Sequence, residues 1–438
     1  MQLLYFLVVI ISLSCGSIPS PADEFVSDYG LLGPLLATVA LVSTWALLCH
    51  TGSFLIARQV VTERLEPMIG ARWLEKQLEV FRWLSLGVIV LCLVGFGLAN
   101  AISETFFLRK SMALQSIILL APGLLMTFAS WSAEQSYGVR LGYADGGIRN
   151  HLHSLWISFR SGLAWLVAPV LMLLAVSDGI SFLPVSENTA SWITGSVVIA
   201  FVVIGLPLLI RKLFDTTPVT PSMHLWISNL LMQSGIKGTK PLRWNTGGRA
   251  FNAMVAGFVP RFRSLLLSDR LLNELPKEQV AMVVLHEAAH VRRRHVPLRM
   301  AAILPAWVAA VLVTRIAGDT TWALPLGSAA GILLTMLILR IVAYRSEYDA
   351  DVQACKMAVE ISSNVDDVPR TYEEACECLS AALMRVTFDH PAARKATWLH
   401  PGVADRVNWM RRHRSEPTSK SNTAGTMANP AQPCQLIN

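Results

Sequence analysis

Long apolar runs alternate with polar, base-rich segments along the chain. The runs cover about 31–57, 83–102, 112–131, 161–183 and 191–210, and two more follow at about 300–317 and 322–343. Each approaches or exceeds the roughly 20 residues that a helix needs to cross about 30 Å of hydrocarbon. The pattern therefore predicts five spans, a polar stretch over 211–299, a two-span hairpin, and a second polar stretch. An earlier apolar run, "LLYFLVVIISLS", is short and has no basic residue before it. It suits a weak signal peptide or a short first span, and Cys15 after it faintly suggests a lipobox. Residues 414–438 are polar and poor in aromatics, the composition of a disordered tail.

These patterns predict a mainly α, polytopic helical membrane protein with its polar segments gathered into a small domain on the cytoplasmic side. The expected organisation has residues 1–28 as leader or short span plus an outside segment, and 29–211 as the N-terminal transmembrane region. One part of the small domain follows at 212–299, then the hairpin at 300–343, the domain's second part at 344–413, and the tail at 414–438. Composition agrees: of 438 residues 53% are hydrophobic and only 15% charged. A soluble chain of this size carries about 25% charged residues.

The net charge of +7 reads as topology, since Lys and Arg concentrate in cytoplasmic loops; it does not point to nucleic acid. Residues 16–28 carry Asp23, Glu24 and Asp28 and no base, and are expected outside. The next loop, with Arg58, Arg64, Arg72, Lys76 and Arg82, is expected inside. Loop 132–160 and the base-rich 211–299 follow by alternation, with a mild violation at Arg109-Lys110. Trp83, Trp131 and Trp226 near span ends suit interfacial anchors. Seven scattered cysteines with no C-x-x-C suit reduced, structural thiols. The expected location is multi-pass in a bacterial-type inner or plasma membrane.

"LPKEQVAMVVLHEAAHVRRRH" (275–295) carries the candidate chemistry. Pro276 suits a helix start, and nothing interrupts the helix after it. His286 and His290 then share one face, one turn apart, so both imidazoles can reach one ion. Glu287 stands about 100° from His286 and can approach a water between them, the H-E-x-x-H arrangement of zinc hydrolases. His295, five residues past His290, points well off that face on a continuous helix and is not expected to be a ligand. H-E-x-x-H also occurs by chance, so a third ligand matters. Past the hairpin, "YRSEYDADVQAC" offers Glu347, with Asp351 one turn on to fix an imidazole tautomer; Asp349 sits off that face. The plain alternative is a solvated acidic helix start, but a carboxylate pair beside a span is costly without a cation.

Four pieces in order resemble peptidase family M48, the membrane zinc metallopeptidases of HtpX and Ste24 type. They are "FNAMVAGFVPRFRSLLLSDRLLNEL", "HEAAH", "RSEYDAD" and "HPGVADRV", and the resemblance covers about 220–410. Five spans before the motif and two after resemble the Ste24 arrangement. The family usually has Gly where this chain has Ala289, a substitution a helix tolerates. "HP" recurs at His390-Pro391 without the spaced arginine, so His400 is the matching histidine. The resemblance implies that the small cytoplasmic-side domain is an α+β zincin-type metallopeptidase domain, with one Zn²⁺ per chain on His286, His290 and Glu347, Glu287 as general base and His400 supporting the oxyanion. Asp351 and Arg406 would brace the site. Asn252, Ala253 and Met254 lie on a strand where a substrate could add as a further strand.

The function so implied is a membrane-embedded zinc metalloendopeptidase acting on membrane-associated or misfolded proteins at the cytoplasmic face. Its expected partners are a protein or peptide substrate and the lipid bilayer; oligomeric state is open. A signalling peptidase of the M56 type also carries H-E-x-x-H after several spans, but lacks this hairpin. A non-catalytic sensor with structural zinc would have no use for Glu287. A transporter would show charged or broken spans.

Overall fold

The structure is a computed structural model and describes residues 2–21, 30–248, 250–388 and 394–413. The acidic stretch assigned outside from Asp23 to Asp28, His390-Pro391, Cys434 and the expected tail lie outside the described residues.

Among the described residues seven helices are long and apolar enough to cross a membrane. Numbering the helices used here in chain order, α1 is Gln2–Ser14. The spans α2 (Leu32–Val61), α3 (Pro67–Gly95), α4 (Met112–Arg140), α6 (Ala164–Ser181) and α7 (Glu187–Leu213) precede the motif; α5 (Ile148–Gly162) joins α4 to α6. After the motif come α11 (His295–Ala301) and α12 (Leu304–Ala317), which together make one span, and α13 (Ala323–Ile361).

Helix α3 starts sixteen residues before its apolar run at 83 because Pro67 opens a polar helix that runs straight into it. Its end is set by Gly97, which takes φ +73°. Arg82, read from sequence as a loop base, is instead buried in α3 and donates to Glu134 of α4 at 3.2 Å.

Helix α1 lies inside the bundle rather than beside it. Val8, Ser12 and Cys15 are buried, and the Trp131 indole donates to the Tyr5 hydroxyl at 3.2 Å. Trp131 is therefore a packing residue of the bundle, not a lipid-facing anchor. The first N–H groups of α4 would be orphaned in an apolar setting. Ser111 caps them, and Asp178 of α6 accepts from Ser111 Oγ, Met112 N and Ala113 N at 2.7–2.9 Å.

The α12–α13 hairpin closes on a Gly-x-x-x-Gly pair. A Cβ at Gly327 would overlap Thr314 Oγ1, and one at Gly331 would lie 2.8 Å from Ala310 Cβ. Small residues of this spacing let two helix backbones approach closely in a membrane. At 39 residues, α13 is about 58 Å long, so it outruns a bilayer core. Its second half enters the other domain, and the sequence boundary at 343/344 falls inside this unbroken helix.

That domain contains a four-stranded sheet of order β1-β2-β4-β3 (Thr216–Pro218, Lys240–Trp244, Ser264–Ser268, Ala253–Ala256). β2 and β4 are parallel, while β3 is antiparallel to β4 and forms a free edge. Around it pack α8 (Pro221–Gln233), α9 (Asp269–Glu274), α10 (Lys277–Arg292), the end of α13, α14 (Tyr372–Val386) and α15 (Val403–Arg412). Leu265, Leu267, Val284, Leu285, Ala354 and Leu379 belong to its core. Trp226 sits on α8, packed against this core with its indole N–H on the Asp366 carbonyl, so it is not a membrane anchor. Phe214, Trp244 and Leu266, with Trp165 and Ile210 packed on them, join sheet to bundle.

Candidate metal centre

Helix α10 begins after Pro276 and keeps Val280, Ala281, Val284, Leu285 and Ala288 in the core. The remaining face carries His286, Glu287 and His290 to the floor of a cavity of about 980 Å³. Core contacts on the other side fix the helix rotation, and with it the direction of both imidazoles.

His286 Nε2 and His290 Nε2 stand 3.2 Å apart, and each lies 3.5 Å from one oxygen of Glu347. Glu347 is 3% exposed. The three could hold one metal ion. Two nitrogens at about 2.0–2.1 Å from a tetrahedral zinc are separated by about 3.3 Å, so the imidazoles already have ligand spacing. Two imidazoles and one carboxylate are also the donor set of catalytic zinc, which keeps a position open. The residues fit the ion.

Asp351 Oδ1 lies 2.9 Å from His286 Nδ1, within contact but off the line of a hydrogen bond. Asp351 is fully buried and accepts two bonds from Arg406, Nε at 2.8 Å and Nη2 at 2.6 Å. Arg406 Nη1 also faces Glu347 at 3.7 Å. Burial opposes the Arg406 charge, but Asp351 and Glu347 outweigh it and raise its pKa. Burial likewise opposes a proton on His286; the Asp351 and Glu347 carboxylates prevail and push it up to about 9. Two such close imidazoles do not both charge: burial and His286 push His290 down to about 2.

Glu287 faces the cavity beside β3. Burial raises its pKa to about 7, with His286 pulling it down, Glu347 pushing it up, and a hydrogen bond from the Val255 main chain stabilising the carboxylate. His400, on the loop before α15, places Nδ1 3.4 Å from Glu347 Oε2 and remains half exposed. That loop is docked on the membrane helices. The Trp398 indole donates to the Met336 carbonyl, its ring packs on Phe6 of α1, and the Tyr344 hydroxyl donates to the Thr397 carbonyl.

Asn252, Ala253 and Met254 line the same cavity, but their main chains do different things. Asn252 exchanges hydrogen bonds with Ser268, its N–H going to the hydroxyl and its carbonyl accepting from the Ser268 N–H. Antiparallel alternation then commits Asn252, Met254 and Ala256 to β4 and turns Ala253 and Val255 outward. Val255 is the strand residue that sequence reasoning left out, and period-two alternation from Ala253 would have found it.

The structure also brings to the centre Arg299, which sequence reasoning missed, and His295 and Asp349, which it set aside as ligands. Arg299 donates to Glu347 Oε1 at 3.0 Å. His295 touches His290, and Asp349 touches His295. His295 was excluded on the premise of a continuous helix. The helix in fact stops at Arg292, and Arg294 takes a left-handed φ of +55°. No glycine or asparagine marks that turn in the sequence.

Residues 217–413 match the profile of peptidase family M48. No curated protein matches the chain. Among solved structures, the crystal structure of S. mikatae Ste24p is similar at 16% sequence identity and a TM-score of 0.52, over 87% of this chain and 98% of that one. Residues 217–413 are thus a peptidase family M48 domain, carried on a multi-pass helical bundle of the Ste24p fold.

Proposed function

We propose that the chain is a zinc-dependent metalloendopeptidase that cleaves membrane-associated or misfolded proteins at the cytoplasmic face of the membrane. One observation carries the reading: His286, His290 and Glu347 converge at ligand spacing, with Glu287 beside them on an open sheet edge. The basic loops on the same side as this domain support the orientation.

His286, His290 and Glu347 would hold the ion. When bound, zinc supplies Lewis acidity, which acidifies water and polarises the scissile carbonyl. Glu287, with a pKa raised to about 7 by burial, takes the proton of the attacking water and passes it to the leaving amine. His400 lines the cavity beside Glu347 and donates to the developing oxyanion. Asp351 holds His286, and Arg406 holds Asp351. The substrate lies along β3, exchanging main-chain bonds with Ala253 and with the Val255 carbonyl. Trp165 and Ile210 of the bundle line the same cavity, so a segment leaving the membrane meets the site directly.

The test is Glu287→Ala in the detergent-purified full chain, with bound zinc and hydrolysis of an unfolded reporter protein measured together. Hydrolysis disappears while zinc stays stoichiometric. Retained hydrolysis removes Glu287 from the mechanism, and a parent protein that binds no zinc removes the whole reading.

A further inference from the structure

His295 is 4% exposed and lies on the first turn after the left-handed Arg294. That reversal folds it back over the preceding helix. Its Nδ1 stands 2.8 Å from His290 Nδ1, and its Nε2 stands 3.0 Å from Asp349 Oδ2. Asp349 also accepts from Arg293 Nε at 2.8 Å, and a carboxylate offers only acceptors.

The proton positions along this chain follow from counting. Asp349 accepts, so His295 Nε2 carries the hydrogen. A neutral imidazole has one N–H, so His295 Nδ1 is bare and must accept. His290 Nδ1 therefore donates to it, and His290 Nε2 is left with a free lone pair. That nitrogen is the one facing His286 Nε2 and Glu347. We infer that His295 and Asp349 are positioning residues that fix the tautomer and ring direction of His290, so that its Nε2 is held ready as a metal ligand. The two ligand imidazoles then have parallel supports from one helix: Asp351 stands at His286 directly, and Asp349 acts on His290 through His295. Glu347, Asp349 and Asp351, at alternate positions on α13, all serve the one centre.

This rests on the zinc reading above. A plainer role for His295 is to fill the turn and hold α11 against α13, and the two make different predictions. Zinc affinity is measured on the full chain in detergent by chelator competition, beside the melting temperature of the zinc-free protein. His295→Leu fills the space without an acceptor and is expected to weaken zinc about 10–100-fold, the usual range for loss of such a support. His295→Asn places an amide oxygen close to the position of Nδ1 and is expected to restore most of that loss. Asp349→Ala, on the half-exposed side of the chain, weakens zinc in the same direction and provides the test if His295→Leu does not fold. Parent-like affinity in both His295→Leu and Asp349→Ala overturns the inference. So does a His295→Asn variant as weak as His295→Leu, which would assign the effect to packing. A parent that binds no zinc overturns this inference together with the reading it rests on.

Discussion

Replacing Arg406 by leucine tests what holds the centre together. Arg406 is 8% exposed and Asp351 is 0% exposed, and two bonds of 2.6 and 2.8 Å join them. Opposite charges about 4 Å apart attract by about 4 kcal/mol at an effective dielectric near 20. Removing the cation forfeits that attraction and leaves Asp351 buried beside a second carboxylate, Glu347. Breaking a buried pair this way costs about 3–5 kcal/mol. At roughly 2–4 °C per kcal/mol for a domain of this size, the zinc-free protein should melt about 6–20 °C lower. Asp351→Leu should cost a similar amount, because it strands the guanidinium. Replacing both residues exchanges the pair for apolar side chains, so the double variant should be more stable than the sum of the singles by about 3 kcal/mol. The assay is a melt in detergent and chelator, followed by a dye that reacts with thiols. Cys355 is fully buried in this core, four residues beyond Asp351, and reports its opening. Additive single changes, or an Arg406→Leu melt within about 2 °C of the parent, would refute the argument that this pair organises the site.

Two further outcomes are expected. Ala253→Pro removes an outward N–H without touching the β3–β4 ladder, so kcat/KM should fall about tenfold, the worth of one net hydrogen bond, at unchanged melting temperature; an unchanged kcat/KM would show that substrate does not add along this edge. Asp269, 7% exposed, holds the 246–248 turn and α9 through bonds from Thr246 Oγ1, Gly248 N and Arg270 N. Burial opposes its charge, but these bonds outweigh it and lower its pKa. The stabilisation is therefore complete above the unfolded value of about 3.9 and is lost as pH falls through the lower folded value. Asp269→Asn should cost about 1–3 kcal/mol at neutral pH, and its deficit in a denaturant titration should close below pH 4; a gap that persists in acid would assign the loss to shape rather than charge.

What the sequence disclosed followed from regular geometry. The seven apolar runs correspond to seven helices, because hydrocarbon thickness sets a length that composition reveals directly. His286, His290 and Glu347 meet because i, i+4 spacing on one helix is a rigid rule and the third ligand came with a motif. Helix ends were less legible. The polar first turns of α3 and the projecting half of α13 have no hydropathy signal, since what continues them is packing. The contact of His295 with His290 was hidden for the same reason: the helix rule holds only while the helix lasts, and an arginine in a left-handed turn is a tertiary outcome. Asp349 lies off the Glu347 face, and its contact with His295 depends on that same turn.

The site cannot be separated from the bundle that carries it. Glu347 sits on the same unbroken helix as a membrane span, so its height and rotation are set by how α13 packs on α12 at Gly327 and Gly331. His290 is reached through the turn into α11, which is the start of the other half of that hairpin. His400 hangs from a loop whose Trp398 is fastened to Met336 of α13 and to Phe6 of α1. Trp165 and Ile210 of the bundle line the cavity as well. Glu347, the His400 loop and part of the cavity lining therefore depend on membrane helices as well as on the M48 domain's core, to which Ala350 and Ala354 of α13 also belong. The sheet supplies an edge and α10 supplies two imidazoles and a carboxylate, while Glu347, which completes the His-His-Glu group, comes from the helix that forms the hairpin's second half. Packing of α13 against α10 is thus the step that brings the candidate ligands together.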